Sequence, residues 1–237
     1  MLLKDFLPRP ELQEVVRHYR IVHFSFNSND ALPVKPYAPR PEQMLAFYPF
    51  DGERAEHQGK IYQVRASLTG QQLNVMNRQV GVHFLAVQVI FQPAGLFRLT
   101  GIPSHEITDS YFDAESVFSS DIKGVNEQLC HASTYPKMLE IVDCFIFRLM
   151  TRRLRDPHPL DQVGNLMLHR TDKISLDWLA DQSCLGYKQF ERKFKERMGV
   201  NPKLFARVTR FDKAFQLKNL YPQMDWMSIA IQCGYYD

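Results

Sequence analysis

Five neighbouring residues have side chains that suit contact with a nucleic acid. They are Lys188, Gln189, Glu191, Arg192 and Lys195. Arginine can donate two hydrogen bonds to one guanine, glutamine can pair with adenine, and lysine can reach phosphate oxygens or guanine. With 100° between successive residues of a helix, Lys188, Gln189, Arg192 and Lys195 fall on one side. The spacing therefore predicts a helix with one face suited to DNA.

Two short helices are predicted to position these side chains. One of them carries Lys188 to Lys195. Its buried face is predicted on the opposite side, at Tyr187, Phe190, Phe194 and Met198. Gly199 is placed to end it. Upstream, the segment LDWLADQ follows Ser175, which is a good N-cap residue. Two helices joined by a tight turn, the second exposing cations, are typical of a helix-turn-helix.

The net charge of the chain is concentrated around this helix. The formal net charge is +3, and Lys188 to Lys218 contain ten Lys or Arg residues against three Asp or Glu residues. We expect five cations of the helix to meet phosphates as well as bases, and these are Lys188, Arg192, Lys193, Lys195 and Arg197. Two other interpretations remain open: a merely solvated basic face, and a basic helical tail that binds an acidic protein partner.

The composition is that of a folded globular protein. Hydrophobic residues make up 45% of the 237 residues and charged residues 23%, which fits one large domain or two unequal ones. No apolar run is long enough to span a bilayer, and Lys4 and Asp5 interrupt the N-terminal apolar residues, so we expect a cytosolic protein without a membrane partner. The four scattered cysteines predict reduced and mostly buried thiols.

The first half of the chain is predicted to be rich in β-strands, in a sandwich or small barrel. A short helix is expected from Glu11 to His18. The longest strand is VGVHFLAVQVIF, from Val80 to Phe91, whose apolar residues on both faces predict burial on both sides. Prolines put a turn-rich connection before the second strand, at Pro33, Pro36, Pro39 and Pro41. Further extended segments are Tyr19 to Phe26, Met44 to Tyr48, Ile61 to Leu68 and Leu73 to Asn77.

Helices follow from about Gly124. The helix from Tyr135 to Leu154 has an apolar face that is wide for packing on its own domain. One interpretation is that Phe145 and Leu149 contribute to a homodimer, and complete burial within the monomer is the alternative. The breakers Pro157 and Pro159 predict a linker near residues 155–162.

No catalytic or metal site is predicted, and no cofactor. A cupin-type metal site usually has two histidines one residue apart, whereas His83 on the long strand has Gly81 and Leu85 at those positions. We therefore expect His83 to be a core histidine. Aromatic residues on the strands are expected to fill the core, with the lining of a ligand cavity as the other option, and they are Phe24, Phe26, Phe47, Tyr48, Phe84 and Phe91.

The order of residues in the last third resembles the AraC/XylS family of bacterial transcription regulators. The matching positions are Leu179-Ala180, Cys184, Leu185, Gly186, Arg192-Lys193-Phe194-Lys195, Gly199, Pro202, Phe205, Arg210 and Ala214. A fainter second copy begins at Ile229-Ala230, with Cys233-Gly234-Tyr235 as its turn. The N-terminal part resembles the effector domain of one AraC-type group at Phe91, Pro93, Gly95, Phe97, Pro103, Glu106 and Asp109.

This resemblance implies an α+β fold in three parts. Residues 1–123 would form a β-rich, cupin-like sandwich or barrel that senses an effector, residues 124–160 a helical dimerisation and linker region, and residues 161–237 an all-α helix-turn-helix domain. The implied function is a sequence-specific DNA-binding transcription regulator. Its implied partners are double-stranded DNA, a small-molecule effector, a second copy of the chain as a homodimer, and RNA polymerase.

Two positions depart from the family pattern. Gly186 stands where the family has a serine or threonine cap. The sequence ends at Asp237, before a second recognition helix, so the resemblance predicts an incomplete second unit. Ile229 and Tyr235 are then expected to be loosely packed or held by a neighbouring molecule.

Overall fold

The computed structural model describes residues 2–27, 34–57, 60–170 and 174–235. The strands are β1 (Leu2–Phe6), β2 (Val16–Ser25), β3 (Val34–Tyr37), β4 (Met44–Phe47), β5 (Glu53–His57), β6 (Lys60–Val64), β7 (Ala66–Thr69), β8 (Met76–Gln79), β9 (His83–Phe91) and β10 (Tyr111–Asp113). The helices are α1 (Gly95–Thr100), α2 (Glu115–Phe118), α3 (Ser120–His131), α4 (Tyr135–Arg153), α5 (Pro159–His169), α6 (Leu176–Gln182), α7 (Tyr187–Met198), α8 (Pro202–Leu220) and α9 (Trp226–Gln232).

The strands form two antiparallel sheets. A six-stranded sheet has the order β1-β2-β9-β4-β7-β10, and a four-stranded sheet has the order β3-β8-β5-β6. All pairs are antiparallel, and the longest runs from Val16 opposite Phe91 to Ser25 opposite His83. Sheets followed by helices confirm the predicted α+β class, with the β-rich part first.

The strand β9 holds the six-stranded sheet together because it lies between β2 and β4. Eight of its nine residues are buried, as its apolar sequence predicts. On one face of the sheet, Tyr19 and Val87 belong to the cluster that includes α3 and α4. On the other face, Val22 and Ile90 belong to a cluster that Val64 of the four-stranded sheet joins. His83 is the exposed residue of β9, so the prediction of a core histidine is wrong.

Tertiary pairing overrides the local pattern at two places. The predicted helix from Glu11 to His18 is a single 3-10 turn at Pro10–Leu12, because the chain then enters β2 and pairs on both sides. The predicted strand from Ile61 to Leu68 is divided at Arg65 into β6 and β7, which belong to different sheets. Pro33 of the proline-rich connection lies outside the described residues.

The wide apolar face of α4 is buried inside the monomer. Phe145 is 1% exposed, and its ring lies 5.9 Å from that of Phe47 and 6.0 Å from that of Phe118, both edge-on. Leu149 belongs to the same cluster. The interpretation that Phe145 and Leu149 form a dimer surface is therefore wrong, because both are buried within the monomer. The alternative of complete burial holds for the inner part of the face, whereas Leu139, Ile141 and Met150 are partly buried.

The connection between α4 and α5 is shorter than predicted. The helix α5 begins at Pro159, where the His158 ring accepts a hydrogen bond from the N–H of Leu160 and Asp161 accepts one from the N–H of His158. This reciprocal cap starts a helix inside the segment 155–162, so the prediction of a linker there is wrong beyond His158.

The four cysteines are free thiols, as predicted. Cys233 is buried and Cys130 is half-buried, whereas Cys144 and Cys184 are exposed. The expectation that they are mostly buried is therefore wrong. The aromatic residues Phe47, Tyr48, Phe84 and Phe91 are buried in the core, as expected.

Candidate nucleic-acid interface

The helices α6 and α7 form the predicted helix-turn-helix pair. Ser175 caps α6, since its hydroxyl accepts a hydrogen bond from the N–H of Trp178 at 3.4 Å. The chain then turns within four residues, with Cys184 in the left-handed region at φ 54°. Leu179 and Ala180 are buried and fix α6 against the helical core. The turn is short enough to hold α7 in one orientation.

Aromatic packing fixes the inner face of α7. Phe190 and Phe194 are fully buried, and their ring centroids lie 5.6 Å apart. The ring of Phe205 on α8 meets Phe194 edge-on at 5.5 Å. Each buried phenylalanine contributes about 1.5 to 3 kcal/mol relative to an exposed one. Tyr187 is the exception to the predicted inner face because it is 36% exposed.

The outer face of α7 presents the predicted polar residues together. Lys188, Gln189, Arg192 and Lys195 are all exposed on this helix. Glu191 is half-buried, and its carboxylate accepts a hydrogen bond from the Tyr187 hydroxyl at 3.2 Å. The four exposed side chains offer donors for phosphates and base edges on one side of one helix.

Arg197 does not belong to that outer face. It is 9% exposed, and its guanidinium donates to both carboxylate oxygens of Asp161 on α5, at 2.7 Å each. The same guanidinium lies 4.9 Å from the ring centroid of Phe97 on α1. The prediction that all five cations of α7 meet phosphates is therefore wrong for Arg197, which links three helices instead.

The C-terminal end of α7 is fastened to the β-rich part of the chain. The Ser104 hydroxyl donates to the carbonyl of Arg197 at 2.8 Å, and the Thr108 hydroxyl donates to the carbonyl of Gly199 at 2.8 Å. Gly199 has φ 93°, and a Cβ there would lie 2.7 Å from the Thr108 oxygen. We call these two hydrogen bonds the α7 clamp. Glycine is required at this position for both reasons.

The second unit is better packed than the resemblance predicts. Asp225 caps α9 by accepting from the N–H of Ser228 at 2.9 Å. Ile229 is fully buried against Ala214 of α8, so the expectation that it is loosely packed is wrong. Tyr235 is half-buried, and the Arg210 guanidinium lies 5.3 Å from its ring centroid.

A cluster of charges lies where α8 meets the six-stranded sheet. Glu42 accepts from Arg17 at 2.9 Å and from Arg20 at 3.3 Å. Burial alone would raise the pKa of Glu42, but the two guanidiniums outweigh burial and hold that pKa below its usual range. Asp212 of α8 lies beside them, with the Arg40 guanidinium at 3.7 Å from its Oδ1 atom.

Asp212→Asn is expected to stabilise the protein only at neutral and alkaline pH. Burial and the carboxylate of Glu42 raise the pKa of Asp212 to about 6, despite Arg40 and Arg17. The folded state thus binds this proton more tightly than the unfolded chain, so stability falls as pH rises from about 4 to about 6. At pH 8 we expect the variant to gain about 1 to 3 kcal/mol, and at pH 4 about none.

Urea unfolding at both pH values measures this difference. The exposed Asp181→Asn is the control for the loss of one carboxylate from the surface. Equal gains for Asp212→Asn at pH 4 and pH 8 would mean that the charge of Asp212 does not destabilise the fold.

Across 2–27, 34–57, 60–170 and 174–235, no group of three or more His, Cys, Asp or Glu side chains could hold a metal ion. None of the helices in those ranges has both the length and the apolar character needed to cross a membrane.

An antiparallel sheet with flanking helices, followed by a helical part that contains a helix-turn-helix pair, defines the architecture of this chain. The apo structure of a ToxT variant from Vibrio cholerae strain SCE256 shares it, with a TM-score of 0.50 and 9% sequence identity over 92% of this chain and 89% of that chain. This likeness confirms the fold that the AraC/XylS resemblance implied.

Two further structures align less well. A 1.65 Å structure of ToxT from Vibrio cholerae has a TM-score of 0.48 and 11% identity, covering 92% of this chain and 89% of that one. The AraC-like transcriptional activator CuxR has a TM-score of 0.30 and 11% identity, covering 91% and 88%. No protein-family model matches the sequence, and no curated protein matches it with significance.

Proposed function

We propose that this chain is a sequence-specific DNA-binding transcription regulator of the AraC/XylS type. The observation that carries the proposal is the exposed row of Lys188, Gln189, Arg192 and Lys195 on α7. This helix is the second of a helix-turn-helix pair, which is the helix that such motifs place in the major groove. The function is binding rather than catalysis.

The three parts of the chain then have separate tasks. Residues 161–237 read DNA, residues 124–160 connect the parts, and residues 1–123 sense a small-molecule effector. Exposed cations on α8, Lys203 and Arg207, support α7 by attracting the phosphate backbone without regard to sequence. A cytoplasmic location follows from this role.

A homodimer and a contact with RNA polymerase belong to the same proposal. The AraC/XylS resemblance supports both. Because the apolar face of α4 is buried in the monomer, a dimer would form through another surface. Sedimentation of the full chain at several concentrations measures whether it forms.

Arg192→Ala is expected to weaken specific DNA binding by about 1 to 3 kcal/mol if the guanidinium contacts a base. Duplexes selected by the protein from a random pool supply the specific site, and a random-sequence duplex of equal length supplies the reference. Fluorescence anisotropy at one salt concentration measures both. Loss of affinity should be much smaller on the random duplex, because phosphate contacts carry no sequence information.

Arg148→Ala is the matched control, since Arg148 is an exposed arginine on α4, away from the helix-turn-helix. It should leave both affinities unchanged. If Arg192→Ala loses the same affinity for both duplexes, then Arg192 contacts a phosphate and not a base. The alternative is that the basic helices bind an acidic protein. It would be favoured if selection yields no preferred duplex and if the affinity for DNA changes little with salt.

A further inference from the structure

The ring of Phe97 on α1 is in contact with two guanidinium groups. The Arg197 guanidinium lies 4.9 Å from the centroid of the ring, and the Arg155 guanidinium lies 5.3 Å from the same centroid. Arg197 is in the last turn of α7, whereas Arg155 lies in the connection between α4 and α5. The ring therefore brings a residue from outside the helix-turn-helix part beside the end of α7.

Arg155 is exposed but held in place. Its backbone N–H donates to the carbonyl of Arg98 at 3.0 Å, and its own carbonyl accepts from the Nε atom of Arg98 at 3.0 Å. A Cβ atom on Gly101 would collide with the Arg155 guanidinium, so the guanidinium occupies space that the glycine leaves open. Because the group is already positioned, it loses less conformational freedom when it binds an anion.

The cations near Phe97 differ in their partners. Arg197 is paired with Asp161. Within the described part of the chain, Arg155 forms no ion pair, and neither does Lys193, which lies one turn before Arg197 on α7. Asp156 is exposed and forms none with either of them. Two positive charges without a counterion therefore lie on either side of one neutralised pair.

The His158 ring reports a positive potential at this place. Burial lowers the pKa of His158, and the charges of Arg197 and Lys193 lower that pKa further, against the opposing effect of Asp161. The Nδ1 atom of the ring accepts from the N–H of Leu160. The proton of the neutral ring is therefore on Nε2, which is a hydrogen-bond donor.

We call Arg155, His158 and Lys193 the α7 flank. Lys193 follows Arg192 directly and lies about 100° around the helix from it, so the α7 flank adjoins the exposed row of α7 without belonging to it. In helix-turn-helix proteins, cations beside the recognition helix contact the phosphate backbone. A guanidinium suits a phosphate because it can donate two parallel hydrogen bonds to it.

We propose that the α7 flank binds the phosphate backbone of duplex DNA beside the groove that α7 enters. This proposal deepens the proposed function and rests on it. Arg155 and Lys193 supply charge and hydrogen-bond donors, and the contact carries no information about sequence. Residues 124–160, which include Arg155, then contribute to DNA affinity in addition to connecting the two parts of the chain.

Arg155→Gln and Lys193→Gln each remove one charge and keep most of the length of the side chain. Fluorescence anisotropy measures the Kd for the selected duplex and for the random duplex at several salt concentrations. For each variant, we expect the slope of log K against log salt concentration to become less steep by about 0.9. At about 0.15 M salt, this change raises the Kd about fivefold on both duplexes and leaves the ratio of the two Kd values unchanged.

Two further variants serve as controls. Arg148→Gln removes an exposed arginine from α4 and should change neither the slope nor the Kd. Arg155→Lys keeps the charge without the guanidinium, so it should keep the slope of the parent chain. A merely structural role of the guanidinium on Phe97 would instead make Arg155→Lys as weak as Arg155→Gln, with a lower Tm for both.

Three results would overturn the proposal. The first is that either glutamine variant of the α7 flank binds as Arg148→Gln does. The second is that Arg155→Lys binds as weakly as Arg155→Gln. The third is that a variant changes the ratio of the two Kd values, because the residue would then affect the reading of bases.

The parent chain separates a failure of this proposal from a failure of the proposed function. If the parent prefers the selected duplex and the variants bind as the control does, only the contact of the α7 flank is excluded. If the parent binds both duplexes equally, the sequence-specific function is contradicted, and the slopes of the variants still decide whether the α7 flank contacts DNA. If the parent binds neither duplex, both proposals are wrong.

Discussion

Replacing Arg197 with alanine is expected to destabilise the fold by about 3 to 5 kcal/mol, the usual result of removing one partner from a buried ion pair. The substitution leaves the carboxylate of Asp161 buried on α5 without the two hydrogen bonds that now bind it. It also removes the guanidinium that packs on Phe97. Because Arg197 lies in the last turn of α7, the proposed DNA binding should fall as well. Urea unfolding at pH 7 measures the change.

Two variants test this explanation of the loss. Lys195→Ala changes an exposed cation on the same helix and should alter stability by no more than about 0.5 kcal/mol. Arg197→Met combined with Asp161→Leu removes both charges, so it should be more stable than Arg197→Ala. A double variant as unstable as the single one would show that the unpaired carboxylate is not the cause.

Phe145→Glu is expected to leave the chain largely unfolded, with a loss of more than about 4 kcal/mol. Phe145 is 1% exposed between Phe47 and Phe118, and among the residues that surround it in this apolar cluster a carboxylate has no cation to pair with. Far-UV circular dichroism and the fraction of soluble protein measure the outcome.

Phe147→Glu is the control on the same helix, because Phe147 is 41% exposed. The variant should fold, with a small loss from the contact between Arg9 and the Phe147 ring. If Phe145→Glu instead gives a folded protein with half the mass of the parent by light scattering, the interpretation of α4 as a dimer helix would be restored.

Local periodicity was sufficient to predict α7 and its two faces. The apolar positions Phe190 and Phe194 recur four residues apart, and Gly199 follows, so the inner face and the end of α7 could be derived from a short segment. The same reasoning placed Ser175 as the cap of α6. These features depend on contacts within a few residues of one another, which a sequence displays directly.

The role of Arg197 could not be derived in that way. Its partners, Asp161 and Phe97, lie on other helices far away in the sequence, and on a helical projection it is one more cation among several. The one local signal was its position beside Met198, next to the inner face of α7. A charged residue at the edge of an apolar face is a reason to search for a buried partner.

The charge cluster between the six-stranded sheet and α8 was beyond sequence reasoning for a related cause. It depends on the strand order that places Arg17 and Arg20 of β2 beside Glu42, and on the docking of α8, which carries Asp212, against that sheet. The aromatic residues were easier to predict, and Phe47 and Phe91 are buried in the main cluster as expected. Polar residues scattered over β2 and α8 form a cluster only after the chain has folded.

The α7 clamp couples α7 to the Ser104–Thr108 loop of the β-rich part. Ser104 and Thr108 hold the C-terminal end of α7, whereas Phe190, near its other end, packs in the helical core. Twelve residues at about 1.5 Å each give α7 a length of about 18 Å. If the helical core turned by about 10° about the clamp, the N-terminal end of α7 would move by about 3 Å, close to the ~3.4 Å between successive base pairs. Under the proposed function, a small displacement of the Ser104–Thr108 loop would therefore shift Lys188 by about one base pair along the groove.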